Sequence, residues 1–227
     1  MMDPVSQAIT VLGLGLLLGV EHALDADHVV AVSAITSENK SLKVSAKVGS
    51  LWGIGHTLTL LLVGILVLGF KLTIPQRLAL SLEFGVGLIL VFLGGAVLRN
   101  VFSQKVHIHE HQHDHLIHEH LHSSKEAAHE HRHRPLFIGM MHGLAGSSAL
   151  MLLVLSTIPS FGLGILYIVV FGIGSIAGML IISTLIGLPF VLTTQFYRLN
   201  RWLRILAGCV SIILGVTIMF GIGSVLF

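Results

Sequence analysis

The sequence predicts an all-α integral membrane protein. Six transmembrane helices form two inverted three-helix repeats, with a His-rich connection between the halves. Three observations lead there. Of the 227 residues 54% are hydrophobic and only 11% charged, with a mean hydropathy of +0.91, whereas soluble domains carry about 25% charged residues. The apolar residues come in blocks, several longer than the roughly 18 residues that mark a membrane-spanning helix. Short segments also recur at a near-constant offset between the two halves. A soluble enzyme and a disordered chain are excluded. Cys209 is the only cysteine, so a disulfide scaffold and a dithiol electron carrier, both of which need pairs, are excluded too.

Six blocks are expected to span, at residues 5–35, 44–70, 78–98, 135–155, 162–188 and 202–227. No Lys or Arg precedes the first block, so it reads as a permanent span rather than a signal peptide. It is too long for one straight crossing of a hydrocarbon layer about 30 Å thick, which predicts a bend or a cavity-lining part. The chain divides into a first membrane repeat (1–98), a His-rich loop (99–134) and a second membrane repeat (135–227).

Orientation follows from the basic residues. Lys40, Lys43 and Lys47, then Arg99, Lys105, Lys125, Arg132 and Arg134, then Arg198, Arg201 and Arg204 lie in alternate connections, leaving Lys71 and Arg77 on the other side. The excess of Lys and Arg in cytoplasmic loops puts those three connections inside and both termini outside.

Gly19-Val20-Glu21-His22-Ala23-Leu24 matches Gly139-Met140-Met141-His142-Gly143-Leu144 at an offset of 120 residues. Gly53-Ile54-Gly55-His56 matches Gly172-Ile173-Gly174-Ser175 at an offset of 119, and the glycines at 87 and 94 match those at 208 and 215 at 121. Three spans per half is an odd number, so the second half must be inverted. Inverted repeats are typical of secondary transporters, which bind substrate where the repeats meet.

Inside the first block lies Glu21-His22-Ala23-Leu24-Asp25-Ala26-Asp27-His28. Ionisable groups are costly in hydrocarbon and should face a cavity or a ligand. Imidazole with carboxylate suits a divalent transition metal, whereas calcium or magnesium sites are oxygen-rich. On an ideal helix at about 100° per residue, His22, Asp25, Glu21 and His28 share one broad face and Asp27 falls on the other. Either the helix is distorted here, or Asp27 orients a ligand histidine through its free ring nitrogen. His56 and His142 are two further intramembrane histidines, and the repeat makes His22 and His142 equivalent. The metal set is thus His22, Asp25, Asp27, His28, His56 and His142.

The connection adds eleven histidines: His107, His109, His111, His113, His115, His118, His120, His122, His129, His131 and His133, interleaved with Glu, Gln and Asp. Such tracts bind metal loosely, since nothing fixes a geometry. With an ordinary pKa near 6.5, most are neutral and able to coordinate at cytoplasmic pH.

His22-Ala23-Leu24-Asp25-Ala26-Asp27-His28 resembles the His-(four residues)-Asp-His signature of the nickel/cobalt transporter family, and Gly55-His56-Thr57 resembles that family's second motif. Both fall in consecutive spans in the family's order. The second half departs from the pattern: where larger members carry Leu-Gly-Phe-Asp-Thr-Ala-Thr-Glu, this chain reads Leu144-Ala145-Gly146-Ser147-Ser148-Ala149-Leu150, without the acids. Six spans in place of eight resemble the compact branch associated with urease accessory genes.

The resemblance implies a secondary transporter for Ni²⁺, with Co²⁺ as a further substrate, in the cytoplasmic membrane. Uptake is favoured over efflux, with the His tract catching arriving metal. The expected partners are the metal ion, the bilayer and nickel-enzyme maturation proteins. No nucleic acid and no permanent cofactor are expected. No phosphate-binding Gly-x-x-x-x-Gly-Lys-Ser/Thr loop is present, which argues against a nucleotide-driven pump. The rival of another class is a membrane-anchored metal store or chaperone. An enzyme is the least supported reading, because no nucleophile or soluble substrate pocket is readable.

Overall fold

A computed structural model describes residues 4–72, 74–103, 110–113, 116–119, 134–145, 158 and 160–226. Among the described residues seven helices carry the fold: α1 (Pro4–His22), α2 (Ala26–Thr36), α3 (Leu42–Phe70), α4 (Gln76–Ser103), α5 (Arg134–Ala145), α6 (Phe161–Leu192) and α7 (Tyr197–Leu226). Four of them, α3, α4, α6 and α7, are each long and apolar enough to cross a membrane. The fifth candidate is a broken span, α1 and α2, bent by 50° at the break. The long first block does contain the expected bend. Of the block at 135–155, only α5 and residues up to Ala145 are described, and the remainder lies outside the described residues.

The His-rich connection includes a short element that hydropathy gave no reason to expect. β1 (Glu110–His113) and β2 (Leu116–Glu119) pair antiparallel, with His111 opposite His118 and Gln112 opposite Ile117. The backbone there has a defined pairing, where the sequence suggests a connection without fixed geometry.

Local chemistry explains the helix ends. Ser41 precedes α3 in an extended conformation, and Lys71 closes it with a left-handed φ of 52°. There the Leu72 N–H donates back to the Val67 carbonyl at 3.1 Å, a common way to satisfy a helix's last carbonyls. Ser160 caps α6, its hydroxyl accepting from the Leu163 N–H at 3.5 Å. Asn200 ties the α6–α7 turn by donating to the Phe190 carbonyl at 2.9 Å and to Thr193 Oγ1 at 3.0 Å.

Between helices in lipid, apolar burial supplies little driving force, so close backbone packing through small residues matters. Here the close approaches come in reciprocal pairs. A side chain at Gly19 of α1 would collide with the Phe171 carbonyl of α6, and one at Gly139 of α5 with the Trp52 carbonyl of α3. Gly174 of α6 abuts the Leu16 carbonyl of α1, and Gly55 of α3 abuts the Leu136 carbonyl of α5. On the α4–α7 pair, Gly94 meets the Gly208 carbonyl and Gly215 meets the Gly87 carbonyl. The second pattern of each set is the first with the two halves exchanged.

Large apolar side chains cover the outside, including Phe92, Trp202 and Phe220. An apolar surface this extensive would be an aggregation liability in water and is ordinary in a bilayer. Trp52, Leu90, Met179, Ala23 and Ala31 are fully buried in the main core. The same interior holds three buried histidines, His28, His56 and His142.

Candidate metal centre

The site starts at the break in the first span. After His22 the chain leaves the α-helix in two tightened turns, with Leu24 N–H donating to Glu21 at 2.8 Å and Asp25 N–H to His22 at 3.1 Å. Asp25 then takes φ −56° and ψ 141°, a non-helical conformation, and stands as the N-cap of α2. Asp is a favoured N-cap because its carboxylate normally accepts from the first-turn N–H groups. Here it makes no such bond. Its Oδ2 instead accepts from His22 Nδ1 at 2.7 Å.

The helix is distorted, so regular-helix projections do not apply across residues 23–25. The carboxylate in contact with a histidine ring is that of Asp25, and Asp27 lies in the first turn of α2. A ring nitrogen donating to a carboxylate fixes the tautomer, leaving His22 Nε2 as the lone-pair nitrogen, within hydrogen-bond distance of His56 Nε2.

His22, His28 and His56 each bring one ring nitrogen within 4.8 Å of the others. His28 Nδ1 donates to the His22 carbonyl at 3.1 Å, which leaves its Nε2 as the acceptor. His56 stands at the midpoint of α3, its Nε2 3.1 Å from His22 Nε2. Two imidazoles bound to one ion at about 2.1 Å have nitrogens roughly 2.9–3.4 Å apart for angles between a right angle and a tetrahedral one. The observed spacing fits that range.

His142 borders the cluster from the other half. Its ring centroid lies 5.6 Å from that of His28 and 4.7 Å from that of Trp52. Its Nδ1 donates to the Ile138 carbonyl at 3.1 Å. His142 Nε2 and His56 Nδ1 are buried without a hydrogen-bond partner. A buried polar atom left bare costs about 1–3 kcal/mol, and Trp52 Nε1, Tyr167 OH and Ser175 Oγ are buried without a partner as well.

A cavity of about 330 Å³ adjoins the cluster, lined by His22, Asp25 and Asp27, by the Val86, Leu214 and Ile218 side chains, and by Glu83 of α4. Sequence reasoning missed Glu83. The signal was present, because it is the only acidic residue in the block at 78–98. Of the tract, His111, His113 and His118 fall on the two strands, while His107, His109, His115, His120, His122, His129, His131 and His133 lie outside the described residues. The stretch from Gly146 to Leu150, where the family pattern departs, also lies outside them.

Comparison with known proteins adds two findings. Residues 11–217 match the family described as the cytochrome c biogenesis protein transmembrane region. The chain is also 40% identical over 222 residues to the urease accessory protein UreH of Bacillus sp. (strain TB-90), an alignment covering 98% of this chain and 95% of that protein. No solved structure matches the chain. Cys209 is the single cysteine of the sequence, so no disulfide can form within this chain. Its apolar helices and this match, which runs through nearly all of them, make the chain a multi-pass membrane protein belonging to the cytochrome c biogenesis protein transmembrane region family.

Proposed function

We propose that the protein is a secondary transporter that carries Ni²⁺, and Co²⁺ as a second substrate, across the cytoplasmic membrane into the cell. The observation that carries this reading is the cluster of His22, His28 and His56 at a broken span inside the helical core. Metal in a permanent structural site would be enclosed. Here the cluster borders a cavity, as an exchangeable substrate requires. Broken helices near the bilayer midplane are the usual binding elements of secondary transporters. The similarity to a urease accessory protein adds support, since urease needs nickel and its maturation proteins would receive the metal.

In this reading the ligands are His22, His28 and His56, joined by His142 across the halves. Asp25 holds the His22 ring, and Asp27 faces the approaching ion. Six spans form two inverted repeats, a reading supported by the reciprocal glycine contacts and the offsets of 119 to 121 residues. Alternating access then rocks one repeat against the other around the histidines. The His-rich loop lies in the cytoplasm, by the distribution of Lys and Arg, and catches metal as it arrives. Affinity alone would favour copper over nickel, so selection rests on geometry and on metal availability.

The test is radioactive Ni²⁺ flux into sealed liposomes, with Co²⁺, Zn²⁺ and Mn²⁺ as competitors. Wild type is expected to give saturable flux that His22→Ala abolishes. Flux absent from wild type, with metal still held by residues 107–133, would instead support a membrane-anchored store or chaperone. Asp25→Asn weakens the hold on His22 Nδ1 while keeping an acceptor oxygen. Its half-saturating Ni²⁺ concentration is expected to rise about 10–100-fold, the usual cost of losing a ligand's orienting partner. Unchanged half-saturation in Asp25→Asn would remove Asp25 from the site.

A further inference from the structure

We infer that the cavity between the α1–α2 break and the α4–α7 pair is a water-filled access vestibule for a hydrated divalent cation, with Glu83 as its cation-attracting carboxylate. The inference rests on the reading of the histidine cluster as a transport site and extends it to the path by which metal arrives.

The cavity lining mixes apolar side chains with carboxylates. Val86 of α4 and Leu214 and Ile218 of α7 are the apolar members, while Asp25, Asp27 and Glu83 supply carboxylates. Asp25 has half of its side chain exposed, and Glu83 is exposed as well. Carboxylates at membrane depth face water or a partner, because hydrocarbon strongly disfavours their charge. His22 is the member of the histidine cluster that lines the cavity; its side chain is only 10% exposed and its Nε2 lies 3.1 Å from His56 Nε2. His56 and His142, in ring contact with the same cluster, each carry a buried nitrogen without a hydrogen-bond partner. A cation leaving the carboxylates therefore meets ring nitrogens next.

The location identifies which end of the bundle the vestibule serves. Glu83 lies seven residues into α4 (Gln76–Ser103), about 10 Å from its start at 1.5 Å per residue. Leu214 and Ile218 lie in the C-terminal half of α7, which the reciprocal Gly94–Gly208 and Gly87–Gly215 contacts make antiparallel to α4. The vestibule is thus at the end of the bundle that carries the α3–α4 connection, the outer end in the proposed orientation. Glu83 has no simpler role as a helix-terminus charge, since the dipole effect is confined to the first turn. Carboxylates that concentrate cations in a low-dielectric cleft raise their local concentration by roughly 10- to 1,000-fold, an effect that salt weakens.

The experiment has two arms, both in a Cys209→Ser background that leaves no native thiol. In intact cells, Glu83→Cys is treated with a membrane-impermeant thiol reagent, with and without Ni²⁺. Labelling from outside that Ni²⁺ slows is expected; no labelling from outside overturns the vestibule. In liposomes, Glu83→Gln is expected to raise the half-saturating Ni²⁺ concentration about tenfold and to weaken the salt dependence seen in the wild type, with maximal flux retained and Glu83→Asp restoring the affinity. Unchanged half-saturation and unchanged salt dependence overturn the role of Glu83. His22→Ala in the same assay separates the two failures: its flux tests the transport site, while the Glu83→Cys labelling reads the vestibule whether or not flux survives.

Discussion

His28→Ala is expected to reduce Ni²⁺ flux to the level of empty liposomes, a loss of at least about 100-fold, more than removal of an orienting partner usually costs. The size follows from the two tasks of this one side chain. Its Nδ1 spans the break by donating to the His22 carbonyl at 3.1 Å, and its ring packs against those of His22 and His56, with centroids 4.6 and 5.1 Å away. The ring is 2% exposed, so no water replaces it without repacking. Alanine removes both functions and leaves a cavity, so a folding defect must be separated from a lost ligand. His28→Gln does this, because its amide can still donate to the carbonyl while it offers no imidazole. His28→Gln is expected to elute as a monodisperse peak like wild type and to carry no saturable flux. Wild-type flux in His28→Gln would remove His28 from the transport path. The eleven tract histidines would mask a loss of one core ligand in a total-binding assay, so flux is the measurement to use.

Gly139→Val is expected to abolish recovery of folded protein in mild detergent, with the monodisperse peak falling to background. Even a single Cβ at Gly139 would sit 2.9 Å from the Trp52 Cα and carbonyl carbon, besides colliding with the oxygen. These are backbone atoms inside α3, which cannot rotate aside as a side chain does. Overpacking costs about 1–3 kcal/mol where neighbours can shift, and the upper end or more is expected where they cannot. The damage falls on the site as well, because α5 carries His142 and α3 carries both His56 and the Trp52 ring that His142 packs on. Gly95→Val is the control. Nothing lies within 4 Å of a Cβ at Gly95, so normal recovery is expected. Equal recovery of both variants would mean that α5 does not dock on α3 through Gly139.

The outline of the membrane region is legible in the sequence. Blocks at 44–70, 78–98, 162–188 and 202–227 correspond to α3, α4, α6 and α7 within a few residues. Hydropathy reports this well because each long helix must satisfy its backbone internally and present apolar side chains to lipid. The excess length of the first block likewise announced a bend. His22, His28 and His56 could be proposed as one group because intramembrane ionisable residues are costly enough to be rare.

What the sequence by itself determined, then, is which residues are apolar enough to span and which polar ones the membrane must accommodate. Only the tertiary structure decided where the first span breaks and what each polar group touches. The non-helical torsions at Asp25 turned its carboxylate to the His22 ring, a result no periodic projection reaches because periodicity ends where the helix does. Glu83 joined the same cavity as His22 although the two are 61 positions apart in the chain. His142 reached Trp52 only because glycines on both helices let their backbones meet. Contacts between distant segments depend on how helices pack, and helix packing is set by small residues acting in pairs that a one-dimensional pattern does not name.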